Sequence, residues 1–151
     1  MKNITQLLGI FAVILSLLGL SGCSTTGAAE DGFGPKHKLV IQVSSNDALT
    51  QKIAMNNAVN VQKAYGIDNV AVEIVAYGPG IGMLTKKSEN SERVKSLAVQ
   101  GIKFSACGNT IKKVTKKKGK APKLTEGVVV VSAGVERIME LQEKGYSYIR
   151  P

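Results

Sequence analysis

Five short runs rich in β-branched or aromatic residues, separated by segments of helical spacing, constrain the fold of this chain more than any other feature. The runs are LVIQV at 39–43, VAVEIVA at 70–76, IKFSA at 102–106, VVVV at 128–131 and YSYI at 146–149. Between the first two, Ala54, Ala58, Val61 and Tyr65 recur at helical spacing, and Gly66 supplies a stop. A polar entry at 88–92 leads to Val94, Leu97 and Ala98 on one helical face, closed by Gly101. Val135, Ile138, Met139 and Gln142 align on a last helix. Strands joined by helices of about three to five turns require right-handed crossovers, and near-continuous apolar strands suit a sheet buried on both sides. The chain therefore reads as α/β: a three-layer α/β/α sandwich over residues 37–151, with a mainly parallel sheet of about five strands and the last strand at an edge.

The first 22 residues belong to a different regime. Lys2 gives a basic start, 7–20 is nearly pure apolar, and small residues follow, which is the layout of a cleaved export signal rather than of a membrane span of about 20 residues. The segment LSGC at 20–23 resembles a bacterial lipobox, so Cys23 is expected to become the lipidated first residue and to attach the protein to a membrane. Residues 23–36 are small, polar and glycine-rich and read as a tether. Ser24 in place of aspartate points to the outer membrane of a Gram-negative envelope, with the domain facing the periplasm. His37, the one histidine, ends that tether as a solvated residue; without acidic or thiol neighbours it is no metal site.

Lipidation of Cys23 leaves Cys107 with no partner in the chain, because the sequence has two cysteines. Charge is also localised. The net charge is +9, and Lys112, Lys113, Lys116, Lys117, Lys118, Lys120 and Lys123 account for most of it; elsewhere basic and acidic side chains nearly balance. The cluster has no interleaved aromatics, so it reads as a solvated helix and loop, and no nucleic-acid partner is expected.

In an open parallel sheet, ligands bind outside the carboxyl ends of the strands. That rule gathers 44–47, 77–82, 107–110 and 132–134 on one rim. Cys107 stands there at a strand-to-helix turn, where the following helix dipole and Lys112 and Lys113 favour thiolate over thiol. The same position also suits a small buried apolar residue, and spacing leaves both readings open. The loop GPGIG at 78–82 lacks the spacing of a dinucleotide site, and no cofactor or metal is implied. Asp47, Glu136 and Glu140 have no paired histidine or second carboxylate, so hydrolase chemistry has no support.

Asp47 and Asn60, VAYGPG at 75–80, FSACGNT at 104–110 and LQEKGYSYIRP at 141–151 together resemble the DsrE/DsrF-like family, relatives of TusD-type sulfur-relay subunits. The resemblance implies an α/β sandwich that assembles as a homo-oligomer, a trimer or hexamer. It also implies that Cys107 carries a persulfide, taken from a sulfur donor and passed to an acceptor thiol on a protein or small molecule. Gly108, Asn109, Thr110, Tyr77 and Gly78 would line the substrate, with backbone N–H groups at Gly108 and Asn109 and the nearby lysines stabilising the anionic sulfur. An export leader and so dense a lysine run depart from the family's relay members.

Overall fold

The computed structural model describes residues 34–151; the leader, Cys23 and most of the tether lie outside the described residues. The elements follow in the order β1 (His37–Val43), α1 (Ala48–Tyr65), β2 (Val70–Ala76), α2 (Ser91–Val99), β3 (Lys103–Cys107), α3 (Gly108–Lys118), β4 (Val128–Val131), α4 (Gly134–Glu143) and β5 (Ser147–Ile149). Short 3-10 helices occupy Ile67–Asn69 and Gly78–Leu84. The strands form one sheet in the order β4-β3-β2-β1-β5, and every pairing is parallel.

That order dictates which face each helix covers. From β1 to β4 the chain steps one place at a time in one direction, so right-handed crossovers put α1, α2 and α3 on the same face. The step from β4 to β5 reverses across the whole sheet and carries α4 to the opposite face. Packing agrees. On the first face Leu39, Ile41, Ile74, Phe104 and Ala106 join Ala54, Met55 and Ala58 of α1, Val94 and Leu97 of α2, and Ile111 of α3. On the second, Val40 and Val75 meet Ile138 and Leu141 of α4, with Tyr77 and Tyr146 alongside.

The expected sandwich is therefore present, but its two outer layers are unequal. Among the described residues one helix covers the second face, and this, with the edge position of β4, explains two departures from the sequence pattern. The stripe of α4 that packs inward is Gly134, Ile138 and Leu141, while Val135 and Met139, expected inside, are 55% and 58% exposed because no neighbouring helix flanks them. Val129 and Val130 of β4 are 48% and 54% exposed, since β4 is an edge strand as well as β5. His37, expected to end the tether, instead opens β1, with its ring stacked on Tyr65 at 3.8 Å between centroids. The loop expected after β2 is wound into a 3-10 helix that buries Ile81, Met83 and Leu84. Among the described residues no helix is long and apolar enough to cross a membrane.

Candidate functional site

Cys107 is the last residue of β3, pairs with Val131 at the end of β4, and is also the N-cap of α3. From these adjacent strand ends the chain departs to opposite faces, into α3 on one side and α4 on the other. Such a divergence opens a crevice at the carboxyl edge of a parallel sheet, and the two helix starts converge on it.

Their close approach depends on two glycines. A Cβ on Gly108 would stand 2.9 Å from the Val131 carbonyl oxygen and 3.0 Å from that of Ser132. A Cβ on Gly134 would lie 3.0 Å from Cβ of Tyr77 and 3.3 Å from Cβ of Cys107. A side chain at Gly108 would displace the backbone after β4, and one at Gly134 would press on Tyr77 and on the cysteine itself.

The capping of these helices distinguishes them from α1. Asp47 caps α1 in the usual way, its carboxylate accepting from the Thr50 N–H at 2.7 Å. No side chain closes an N-cap hydrogen bond on α3 or α4, whose N-cap residues are Cys107 and Ala133. The first-turn N–H groups of Thr110 and Gly134 act on the Cys107 sulfur, and that of Asn109 does so while shared with the Ser132 carbonyl. Burial pushes the thiol up, but the Thr110 hydroxyl and the N–H groups of Gly134, Thr110 and Asn109 outweigh it and hold Cys107 below its ordinary value. These donors are dipolar; Lys112 and Lys113 stand exposed on α3 and are not among them.

The other residues singled out in the sequence fall around this sulfur. The Thr110 hydroxyl accepts from the Gly78 N–H at 2.9 Å, which leaves its own proton free to point at sulfur. Tyr77 is half-buried and packs on Gly134. The Asn109 N–H donates to the Ser132 carbonyl at 3.3 Å, tying α3 to the β4–α4 loop. Gly108 contributes the close approach described above. Cys107, Thr110, Gly78 and Tyr77 are thus brought together, whereas Glu136 is exposed and Asp47 serves as a cap. The lysine run ends α3, where Lys116, Lys117 and Lys118 oppose the negative end of the helix dipole.

Sequence reasoning passed over a polar cluster on the same sheet face. Glu73 in β2 is 2% exposed, and Arg137 of α4 grips both its oxygens, Nε at 2.8 Å and Nη2 at 2.8 Å. Ser105, two residues before Cys107 on β3, donates to Glu73 at 2.6 Å, and Glu140 accepts from Arg137 at 3.0 Å. The available signal was the single charge at the centre of VAVEIVA, because a carboxylate in a buried strand needs a cation and donors.

A depression of about 540 Å³ lies at the other end of β3, lined by Lys95, Ala98, Val99, Gly101, Ile102, Lys103, Glu126 and Gly127, and it holds no thiol or hydroxyl side chain. Among the described residues no group of three His, Cys, Asp or Glu could hold a metal ion.

Comparison with known proteins adds identity to this geometry. A protein of unknown function, MTH1491 from Methanobacterium thermoautotrophicum, superimposes with a TM-score of 0.69 at 34% identity over 76% of this chain and 99% of its own. The ychN protein from E. coli shares the fold, with a TM-score of 0.58 at 12% identity over 78% of this chain and 99% of its own. No curated protein matches. The model of the DsrE/DsrF-like family matches residues 37–151, nearly all of the described chain, and this protein therefore belongs to the DsrE/DsrF-like family, which is linked to sulfur relay in general.

Proposed function

We propose that this protein is an envelope-tethered sulfur handler that carries sulfane sulfur as a persulfide on Cys107 and passes it to an acceptor thiol. One observation carries the reading: the sulfur sits where two helix starts without side-chain caps converge, so the folded chain favours its thiolate. The Cys107 thiolate attacks the outer sulfur of a polysulfide or thiosulfate. The new S–S bond forms as the old one breaks, and the shorter polysulfide or sulfite leaves with the electron pair. An acceptor thiolate then attacks the outer sulfur of the persulfide and regenerates the Cys107 thiolate. The sequence is redox-neutral and calls for no cofactor. The N–H groups of Thr110 and Gly134 and the Thr110 hydroxyl suit either anionic form of the sulfur.

Incubation of the purified protein with thiosulfate or polysulfide tests this directly. Intact mass is expected to rise by ~32 Da, one sulfur atom, and to stay unchanged in Cys107→Ser. No gain at Cys107 with several donors would sink the proposal. The tethering part of the reading stands on LSGC at 20–23. Cys23→Ser is expected to abolish labelling by palmitate and release the protein from the membrane fraction.

Burial favours a second reading. Cys107 is 6% exposed, as a structural cysteine in a non-enzymatic, oligomeric binding or assembly module would be. A Cys107→Ser strain that keeps every phenotype selects that reading.

A further inference from the structure

The polar cluster on the α4 face has a consequence for the thiol. Arg137 is one helical turn from Gly134, about 4.5 Å along α4. Its guanidinium is clamped between Glu73 of β2 and Glu140 of α4, and its own N–H donates to the Ala133 carbonyl at 3.0 Å, closing the first turn of the helix. The same turn holds Gly134 against Cys107 and Tyr77 with no space to spare. Apolar packing is thin here, because the buried cluster on this face consists of Val40, Val75, Ile138 and Leu141. A bidentate contact to a strand is therefore the most directional restraint on where α4 begins.

We propose that Glu73 and Arg137 are a positioning pair, which fixes the first turn of α4 against the sheet so that the Gly134 N–H stays aimed at the Cys107 sulfur. The proposal rests on the reading of Cys107 as the sulfur carrier. Neither member touches the reacting sulfur; both act through Gly134. The groups facing Glu73 are Arg137 from α4, Lys103 at 3.8 Å and Ser105 from β3, and Tyr146 beyond α4. Those acting on Cys107 are the neutral donors of α3 and α4. The two clusters are thus coupled by helix placement and not by direct charge contact.

The experiment follows the Cys107 titration in the purified, ¹⁵N-labelled protein without any sulfur donor, by thiolate absorbance and by amide shifts. In the wild type the Gly134 and Thr110 amides are expected to move with the thiol. In Arg137→Gln the midpoint should rise by about half a unit, a roughly threefold loss of thiolate near neutrality, and Gly134 should stop responding while Thr110 continues. Arg137→Lys keeps the charge but loses the planar fork, and the same selective loss at Gly134 is expected. A folded Arg137→Gln with an unchanged midpoint and a responsive Gly134 overturns the proposal, as does an Arg137→Lys indistinguishable from the wild type. If Arg137→Gln does not fold, Glu140→Gln, which removes one clamp at the surface, should shift both readouts the same way to a smaller extent; no shift overturns the proposal. Because no sulfur is transferred in this measurement, failure of Cys107 to take up sulfur while the coupling persists would strike the carrier reading alone.

Discussion

The two faces of the sheet are held by different means. Under α1, α2 and α3 the core joins eighteen buried apolar residues, whereas the α4 face joins four and places Gln42, Glu73 and Ser105 among them. Non-directional burial scales with area and tolerates small shifts, but a bidentate ion pair specifies one geometry. The first face therefore supplies most of the stability, and the second supplies placement. The candidate site lies where helices of the two faces part company, so it takes one N-terminus from each: α3, whose Ile111 packs on the large core, and α4, whose seat depends on Arg137.

The contrast breaks most readily in the core. Phe104 is fully buried in the large cluster, and Phe104→Ala is expected to cost about 4 kcal/mol in urea unfolding. Leu141 is equally inaccessible at 1% exposure but sits in the four-residue cluster, where its partners can close in, and Leu141→Ala is expected to cost about 2 kcal/mol. Equal losses would show that the faces are equivalent after all.

Arg137→Leu sharpens the same comparison. It leaves the Glu73 carboxylate buried with Ser105 at 2.6 Å and Lys103 only at 3.8 Å, and about 3 kcal/mol should be lost. Replacing the pair together, Glu73→Leu with Arg137→Leu, should restore most of that stability, because a buried ion pair is exchangeable for apolar packing. The coupling between Gly134 and the thiol should not return. A double variant with wild-type coupling would mean that packing, and not the fork, places α4.

Much of this arrangement could be read from the sequence, and its limits are physical. The strands β1, β2 and β3 were legible because parallel strands buried on both faces carry nearly unbroken apolar runs, and the edge strands β4 and β5 through their β-branched and aromatic residues. The helix over 48–65 showed its stop at Gly66 for a local reason, a glycine after the last periodic residue. The position of Cys107 at a strand end was equally local. Strand order was not, and so the sequence could not show that, among the described residues, α4 is the one helix on its face. That one fact misplaced Val135 and Met139, and the edge position of β4 hid the exposure of Val129 and Val130. The donors from Gly134 and the Glu73–Arg137 contact span separations that no window along the chain connects. The lysines illustrate the opposite error: adjacency in sequence to Cys107 suggested an electrostatic role that the donors of the crevice fill instead.

The acid side of the stability curve provides a smaller effect. Burial pushes Glu73 up, but Arg137, Ser105 and Lys103 outweigh it and hold the carboxyl below its ordinary 4.5. A carboxylate depressed in the folded state contributes stability fully above the unfolded value, and that contribution disappears as pH falls below 4.5 through the folded value. Between about pH 6 and pH 3 the wild type should lose about 1–2 kcal/mol more than the double-leucine variant, the scale of hydrogen bonds to a charged group. Parallel acid profiles would show that the pair contributes no differential stabilisation of the charged carboxyl.

The smallest effect belongs to the thiol itself. Cys107 is held below 9.0 when folded, so between the folded value and 9.0 the unfolded chain retains a proton that the folded chain has released. Stability from this group must then grow as pH rises through that interval and be absent below it. Cys107→Ser removes the increment while leaving every other titrating group in place, so the difference between the two unfolding curves should widen towards alkaline pH by less than about 1 kcal/mol, the scale of a charge at a helix end. Arg137→Gln should leave the alkaline slope of the Cys107→Ser curve unaltered, whereas it should flatten that of the wild-type curve and so shrink the difference between them. A difference that stays flat across the alkaline range would mean that the two helix starts do not favour the charged sulfur, and the contrast between a face that stabilises and a face that places would lose its chemical consequence.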